Sequence, residues 1–163
     1  VSLHELHLVL QAVMGWENSH LYQFTIGDYE YSKPSPDLDA KDATTVWLDQ
    51  VYRGVGTRFT CVYDFGDNWE HEVRIEKTLA AKPGKQYPVC VAGRRACPPE
   101  DCGGFWGYEE LLEAIRNPEH EEHQRMLDWL GGPFDPEAFS VALVNTVLGS
   151  LRYPCDDEGS PLS

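Results

Sequence analysis

The sequence predicts an α+β fold: a largely antiparallel sheet with a prominent hairpin, helices packed on one face, and further helices at the C-terminal end. After one N-terminal helix, the segments with strand-like alternation lie before residue 80, and the later segments with helical periodicity follow residue 104. A chain of 163 residues has the size of one domain. We therefore expect a single domain over residues 1–149 and a flexible tail over residues 150–163.

The first helix is predicted by its cap and by its apolar stripe. Ser2 and Glu5 form an S-x-x-E capping box, and Gly15 supplies a stop. Residues 21–26 then predict a strand, and a Gly-Asp turn joins it to a second strand over residues 29–31. The apolar stripe of the helix consists of Leu6, Val9, Leu10, Val13 and Met14.

The clearest element is a hairpin around the turn Gly66-Asp67-Asn68. Apolar and polar residues alternate on both sides of the turn, which is the pattern of strands with one buried face. We expect His71 to point inward with its neighbours. The predicted inward face consists of Phe59, Cys61, Tyr63 and Phe65 on one strand and Trp69, His71, Val73 and Ile75 on the other.

A long irregular stretch separates the hairpin from the C-terminal helices. Residues 80–104 are rich in Pro, Gly and Cys, and loops this long are usually functional or held in place by other contacts. Three helices should follow. The first has Tyr108, Leu111, Leu112 and Ile115 inward, the second starts at Pro118 with His120, His123, Leu127 and Leu130 on one side, and the last opens at Asp135-Pro136 with Phe139, Ala142, Leu143 and Val147 inward.

The charge of the chain excludes several classes of partner. Asp and Glu number 27 against 13 Lys and Arg, a net charge of −14, which disfavours direct binding to nucleic acids or to anionic membranes. No signal peptide or membrane-spanning run is visible, so we expect a cytoplasmic protein that binds another protein or a small anionic ligand. The second possibility depends on a local cluster of basic residues, Arg74, Lys77, Lys82, Lys85, Arg94 and Arg95. The alternative is that basic and acidic faces attract each other across the fold.

Five cysteines and two neighbouring histidines raise the question of a zinc site. The spacing Cys90-x6-Cys97-x4-Cys102 does not match a zinc knuckle, but a closed structural site would explain how the long loop stays ordered. Zinc is the one cofactor that the sequence suggests. The alternative is that the cysteines are small buried apolar residues and the histidines decorate a helix. The candidate metal ligands are Cys90, Cys97, Cys102, His120 and His123.

The hairpin turn also contains the candidate catalytic residues, Asp64, Asp67 and His71. Carboxylates and an imidazole can bind a catalytic metal or transfer protons. Turn chemistry alone explains the same residues, because Asp, Asn and Gly tolerate positive φ angles. No nucleophile elbow, phosphate-binding loop, zinc-protease helix or dinucleotide fingerprint is present, and their absence points away from the common enzyme classes.

The segment CPPEDCGG at residues 97–104 is predicted to be a stiff loop, because its two prolines restrict the backbone. Glu100 and Asp101 could pair with the two arginines just upstream, which would make the loop self-bracing. It could instead be a rigid platform for a ligand, with aromatic residues beside it. The candidate binding residues are Trp69, Arg94, Arg95, Glu100, Asp101, Trp106 and Tyr108.

Several motifs together resemble the plasmid pRiA4b ORF-3-like family over nearly the whole chain. They are LHLVLQ at 6–11, MGW at 14–16, HLYQF at 20–24, YDFGDNWEH at 63–71, ACPPEDCGG at 96–104, HEEH at 120–123 and WLG at 129–131. The resemblance implies an association with plasmids and other mobile elements, and no defined biochemical activity. Members of the family usually carry an extra strand before the first helix. The sequence starts at Val1, just ahead of that helix, so either it is an incomplete copy or the strand is missing; if the strand is missing, one edge of the sheet would be open to another chain.

Two hypotheses follow for the function. The first is a non-catalytic binding or accessory module that uses the loop over residues 80–108 as its contact surface. The second is a metal-dependent hydrolase that uses Asp64, Asp67, His71, His120 and His123. The lack of a recognised catalytic spacing favours the first, and whether the protein is an enzyme stays open.

Overall fold

A single five-stranded sheet lies at the centre of the fold. The structure is a computed structural model that describes residues 1–151. The strand order along the sheet is β3-β2-β1-β4-β5, and all neighbours are antiparallel except the short parallel pair of β2 and β3. The predicted antiparallel sheet and hairpin are confirmed. The strands are β1 (Tyr22–Ile26), β2 (Tyr29–Ser32), β3 (Lys41–Asp42), β4 (Arg58–Tyr63) and β5 (Trp69–Arg74).

Five helices accompany the sheet within the described residues, so the α+β class is confirmed. The predicted capping box is present, because Ser2 Oγ accepts the Glu5 amide and the Glu5 carboxylate accepts the Ser2 amide. Gly15 ends this first helix at a φ of 80°. No helix among residues 1–151 has the length and apolar run needed to cross a membrane. The helices are α1 (Leu3–Met14), α2 (Leu48–Val51), α3 (Gly104–Arg116), α4 (His123–Leu130) and α5 (Val141–Ser150).

The core lies between α1 and the sheet. Leu6 and Leu10 of α1 pack against a buried cluster in which the strands alternate as predicted. The prediction of Phe65 as an inward residue was wrong, because β4 ends at Tyr63 and Phe65 is 44% exposed. The inward residues of β4 are buried, whereas those of β5 are only half-buried, because β5 is the edge strand. The buried cluster consists of Leu3, Tyr22, Phe24, Ile26, Tyr31, Ala43, Val51, Phe59, Cys61 and Tyr63.

The predicted start of the second C-terminal helix was wrong. Asn117 begins a turn instead of a helix: its Oδ1 accepts the Glu119 amide, and its carbonyl accepts the His120 amide. The His120 imidazole then accepts the Glu122 amide at 3.1 Å, and α4 begins only at His123. Side chains that bond to nearby amides compete with helix formation, and here they delay the helix by one turn.

The last helix also starts later than predicted. Asp135 forms a turn through bonds to the amides of Glu137 and Ala138, and α5 begins after Ser140, which caps it. The predicted inward face was wrong as well, because Leu143 is 70% exposed and Val147 is 46% exposed. Leu148 is the buried residue of this helix. The predicted tail over residues 150–163 lies almost wholly outside the described residues, which end at 151.

Candidate functional site

The register between β1 and β4 brings the side chains of His20 and Asp64 to the same end of the two strands. Tyr22 pairs with Tyr63, and the Asp64 amide donates to the Leu21 carbonyl at 2.9 Å. Because the strands are antiparallel, the residue before β1 and the residue after β4 lie next to each other. These neighbours are Leu21 and Asp64, and His20, one residue before Leu21, reaches the same place with its Nε2 3.7 Å from Asp64 Oδ2.

The loop over residues 97–104 is held against this end of the strands by bonds to other segments. Tyr63 donates its hydroxyl proton to Glu100, while the same oxygen accepts the amides of Ser19 at 3.0 Å and His20 at 3.3 Å. Trp16 Nε1 donates to the Pro98 carbonyl at 2.9 Å. Burial, together with the hydrogen bond to Glu100, raises the pKa of the Tyr63 hydroxyl, so it stays a donor.

The end of the loop packs on the hairpin turn through backbone approaches that need glycine. Asp67 Oδ2 accepts the Gly103 amide at 3.2 Å. Gly104 has a φ of 66°, and a Cβ on it would lie 2.6 Å from the Asp67 carbonyl oxygen. A Cβ on Gly107 would lie only 2.0 Å from the Cys102 carbonyl oxygen. These glycines let the loop reach the position from which Asp101 meets this end of the strands.

Three side chains from three separate segments meet at this point. His20 Nε2 is 2.8 Å from Asp101 Oδ1, and ligand atoms of His20, Asp64 and Asp101 all lie within 4.8 Å of one another. Asp64 is 8% exposed as a residue, whereas the Asp101 side chain is 67% exposed. The cluster therefore has a fixed, buried side and an open side that faces solvent.

The cluster is short of positive charge. Within residues 1–151, His20 is the only basic side chain that pairs with either aspartate. Asp64 Oδ1 accepts the Gly66 amide at 2.9 Å, but Asp64 Oδ2 accepts no hydrogen bond from this part of the chain. One imidazole and two carboxylates are a donor set for divalent transition metals, and three protein ligands leave coordination positions for water or a ligand.

Of the predicted catalytic residues, the structure brings only Asp64 into this cluster. Asp67 holds the loop through Gly103. His71 lies on β5, where Nδ1 contacts the Cys61 carbonyl at 3.2 Å and Trp16 packs edge-on at 5.3 Å. Burial lowers the pKa of the His71 imidazole.

The predicted zinc ligands do not form a three-ligand cluster within the described residues. Burial raises the pKa of the Cys97 thiol to about 12 and that of Cys102 to about 11, so both are protonated at neutral pH. Cys90 is held by Asn145, whose side chain bonds to both its amide and its carbonyl. His120 and His123 bond to backbone groups of residues 122 and 114.

The expected pairing of the loop carboxylates with the upstream arginines was wrong. Glu100 bonds to Tyr63 and to the Glu17 amide, and Asp101 meets His20. Arg95 instead lies 3.4 Å from Glu137. The other predicted binding residues spread over two surfaces: Trp69 and Arg94 line an apolar groove with Arg95, Trp106 is exposed on α3, and Tyr108 packs edge-on against Phe134.

Sequence reasoning missed His20 as a site residue. It stands alone in a polar turn, and no local spacing connects it with Asp64 or Asp101. The available signal was the pairing of two alternating segments: aligning Tyr22 with Tyr63 places residue 21 opposite residue 64, and it therefore brings residues 20 and 64 to the same end of the sheet. That register is a long-range property, which a motif search along the chain does not contain.

The comparisons with known proteins agree with this architecture. A family model described as plasmid pRiA4b ORF-3-like protein matches residues 1–143. The chain belongs to the plasmid pRiA4b ORF-3-like family. The chain is 40% identical over 155 residues to the uncharacterized protein y4hQ of Sinorhizobium fredii (strain NBRC 101917 / NGR234), covering 93% of this chain and 79% of that protein. The crystal structure of a protein of unknown function, MM3350 from Methanosarcina mazei Go1, superposes with a TM-score of 0.78 at 39% identity, covering 86% of this chain and 82% of that one.

Proposed function

We propose that this pRiA4b ORF-3-like domain is a binding module built around a divalent cation held by His20, Asp64 and Asp101. The observation that carries the proposal is the convergence of these three ligands from separate segments, with ligand atoms within 4.8 Å of one another. The position of Asp64 Oδ2 supports it, because this oxygen faces His20 Nε2 at 3.7 Å and is available to a cation between the two side chains. The open side at Asp101 is where a ligand would complete the coordination sphere.

The donor set favours Mn²⁺, Fe²⁺ or Zn²⁺ over Ca²⁺ or Mg²⁺. Ca²⁺ and Mg²⁺ take oxygen ligands almost exclusively, whereas an imidazole nitrogen suits transition metals. The ligand class that fits the open side is an anionic oxygen donor, such as a carboxylate or phosphate, because it would coordinate the cation directly. A cation of charge +2 neutralises the two aspartates, so it would make this acidic chain locally attractive to an anion.

Calorimetric titration of the purified protein with Mn²⁺ and Zn²⁺ tests the proposal. We expect one cation per chain, and Asp101→Asn should weaken binding by at least about 10-fold because it removes a ligand charge. Asp67→Asn is the matched control. Asp67 lies on the hairpin turn that follows Asp64 but is outside the cluster, and the side-chain oxygen of the new asparagine can still accept the Gly103 amide. It should keep the parent affinity.

A double variant, Cys97→Ser with Cys102→Ser, separates this centre from a cysteine site. The double variant should retain the cation, since neither sulfur belongs to the cluster. Loss of the cation in the double variant, or unchanged affinity in Asp101→Asn, would contradict the proposal. Loss of the cation in the double variant would assign the metal to the predicted cysteine ligands. Unchanged affinity in Asp101→Asn would show that His20, Asp64 and Asp101 are held together by hydrogen bonds alone.

Hydrolysis is the second candidate function. It is favoured by the 67% exposure of the Asp101 side chain, because solvent can reach the position of a metal-bound water. Such a water has a strongly lowered pKa and is a nucleophile near neutral pH. The Mn²⁺-loaded protein should then cleave bis(p-nitrophenyl) phosphate, and Asp101→Asn should not. Absence of cleavage by the loaded parent leaves binding as the function of the centre.

A further inference from the structure

A cleft of about 510 Å³ opens beside the cation site. It lies between the C-terminal end of α1, the loop over residues 97–101 and the C-terminal end of α4. Asp101 lines this cleft and is also one of the three members of the cation site, so a ligand of the cation can extend into the cleft. We term it the acidic cleft, because its charged lining residues are Glu17, Glu100 and Asp101, and no Lys or Arg lines it within residues 1–151.

The two glutamates of the acidic cleft lack a positive partner. Glu100 is fixed by two hydrogen bonds, from the Tyr63 hydroxyl and from the Glu17 amide. The Glu17 side chain is exposed, and neither glutamate takes part in an ion pair within residues 1–151. A cation of charge +2 balances Asp64 and Asp101 but not these two carboxylates. The acidic cleft therefore keeps a negative charge when the cation is bound.

Two helix ends add to this negative potential. Met14 is the last residue of α1 and Leu130 is the last residue of α4, and both line the acidic cleft. A helix C-terminus carries roughly half a negative charge, which a basic side chain in the last turn can compensate. Neither helix has a basic residue in its last turn. A positively charged group in the cleft would therefore interact favourably with both helix ends.

An exposed tryptophan provides an aromatic wall. Trp129 is 50% exposed and lines the acidic cleft, as does Phe134. Among aromatic side chains, the indole attracts cations most strongly. Carboxylates beside an exposed indole form a site for an ammonium or guanidinium group, which both kinds of side chain attract, and not for an anion.

We propose that the ligand of the cation is zwitterionic: its carboxylate coordinates the cation, and an ammonium or guanidinium group of the same ligand occupies the acidic cleft. This inference rests on the cation site proposed above and names the class of its ligand. Lysine, arginine or a peptide that ends in one of them has both charges, joined by a flexible apolar stem. A nucleotide or another multiply charged anion fits less well, because Glu17 and Glu100 would repel it.

Three small molecules separate the two charges of such a ligand. Arginine has both, citrulline has a neutral urea in place of the guanidinium, and agmatine lacks the carboxylate. The protein is first titrated with Mn²⁺ by calorimetry, and the Mn²⁺-loaded protein is then titrated with each compound. Arginine should bind about 10-fold more tightly than citrulline, because hydrogen bonds to charged groups are the stronger ones. Arginine and citrulline should displace water from Mn²⁺, which lowers the enhancement of water proton relaxation, whereas agmatine should not.

The peptide Gly-Gly-Arg and its C-terminal amide distinguish the two sources of this chemistry. Binding of Gly-Gly-Arg but not of its amide would assign the site to the end of a peptide chain. Binding of free arginine alone would assign it to the amino acid. Equal affinity for the peptide and its amide would overturn the proposal, because the carboxylate would then have no contact with the cation.

Variants of the acidic cleft provide matched pairs. Glu17→Gln keeps the backbone bond to Glu100 and should weaken arginine binding by about 3- to 5-fold without changing the affinity for Mn²⁺. Glu30→Gln changes the net charge equally, but Glu30 pairs with Thr25 toward the other end of β1, so it should bind arginine as the parent does.

Trp129→Leu should weaken arginine binding by about 3-fold or more, because it removes the aromatic ring. Trp106→Leu, at an exposed tryptophan of another cleft, should not. Failure of the parent to bind Mn²⁺ would overturn both the cation site and this inference. Mn²⁺ binding with equal affinities for arginine and citrulline would overturn only the assignment of the cleft, as would unchanged arginine affinity in both Glu17→Gln and Trp129→Leu.

Discussion

The buried histidine of α1 should make the stability of the fold depend on pH between about 6.5 and 4. His7 is 0% exposed, and its ring stacks on Tyr22 with 3.6 Å between centroids. Its Nε2 is 2.7 Å from Asn18 Oδ1. Because that oxygen only accepts, Nε2 carries the proton of the neutral ring, and Nδ1 is left buried without a partner in residues 1–151.

The magnitude follows from the two protonation states. Burial lowers the pKa of His7 from 6.5 to about 4, against a smaller opposing effect of the hydrogen bond to Asn18. The unfolded chain therefore binds a proton at a higher pH than the folded chain does. The stabilisation by the neutral ring is complete above the unfolded pKa and is lost as the pH falls toward the folded value. A difference of this size corresponds to about 3 kcal/mol in the free energy of unfolding.

Urea denaturation of the parent and of His7→Gln, followed by tryptophan fluorescence at several values between pH 7 and pH 4, measures this effect. Glutamine can still donate to Asn18 but does not titrate, so His7→Gln should be less stable at pH 7 and should lose about 3 kcal/mol less than the parent on acidification. Carboxylates protonate in both proteins and cancel in the difference. Parallel stability curves would refute the assignment of the acid sensitivity to this ring.

Three further substitutions test the contacts that hold the long loop. Gly107→Ala should cost about 2–4 kcal/mol in thermal unfolding, because its Cβ would lie 2.0 Å from a backbone oxygen, whereas Gly149→Ala, with nothing within 4 Å, should be neutral. Asn145→Ala should expose the loop around Cys90 to proteolysis without a large change in global stability, because it removes the two bonds to that backbone. Tyr63→Phe should cost about 2 kcal/mol, since it removes the donor to a carboxylate and the acceptor for two amides; a change below about 0.5 kcal/mol would contradict that role.

The predictable part of the fold was the part with local causes. The alternation in residues 58–63 and 69–74 fixes which face of the hairpin is buried, because the side-chain period of a strand is two residues. The cap of α1 is equally local. The helix starts failed for a local reason too: Asn117 and Asp135 are good caps, but their side chains also form turns with the next amides, and the sequence does not say which of the two wins.

The site was only partly predictable, because its contacts cross between segments. Asp64 and Asp101 were candidates on the strength of their motifs, but Asp101 was assigned a nearby arginine instead of His20. Pairing between neighbours in sequence is the natural guess when the register of the sheet is unknown. In the structure, the pairing of β1 with β4 instead places the His20 imidazole beside Asp101, although the two residues are 81 positions apart in the sequence.

The anchors of the loop explain why the centre can be in place before any ligand arrives. The Asp101 side chain is exposed and would be mobile by itself, but its backbone is fixed on one side by the bond from Tyr63 to Glu100 and on the other by Asp67. A cation then meets ligands whose backbone ordering is already complete, so more of its binding energy appears as affinity. Tyr63→Phe should therefore weaken cation binding even though the hydroxyl is not a ligand. Unchanged affinity in that variant would show that the ion itself orders the loop.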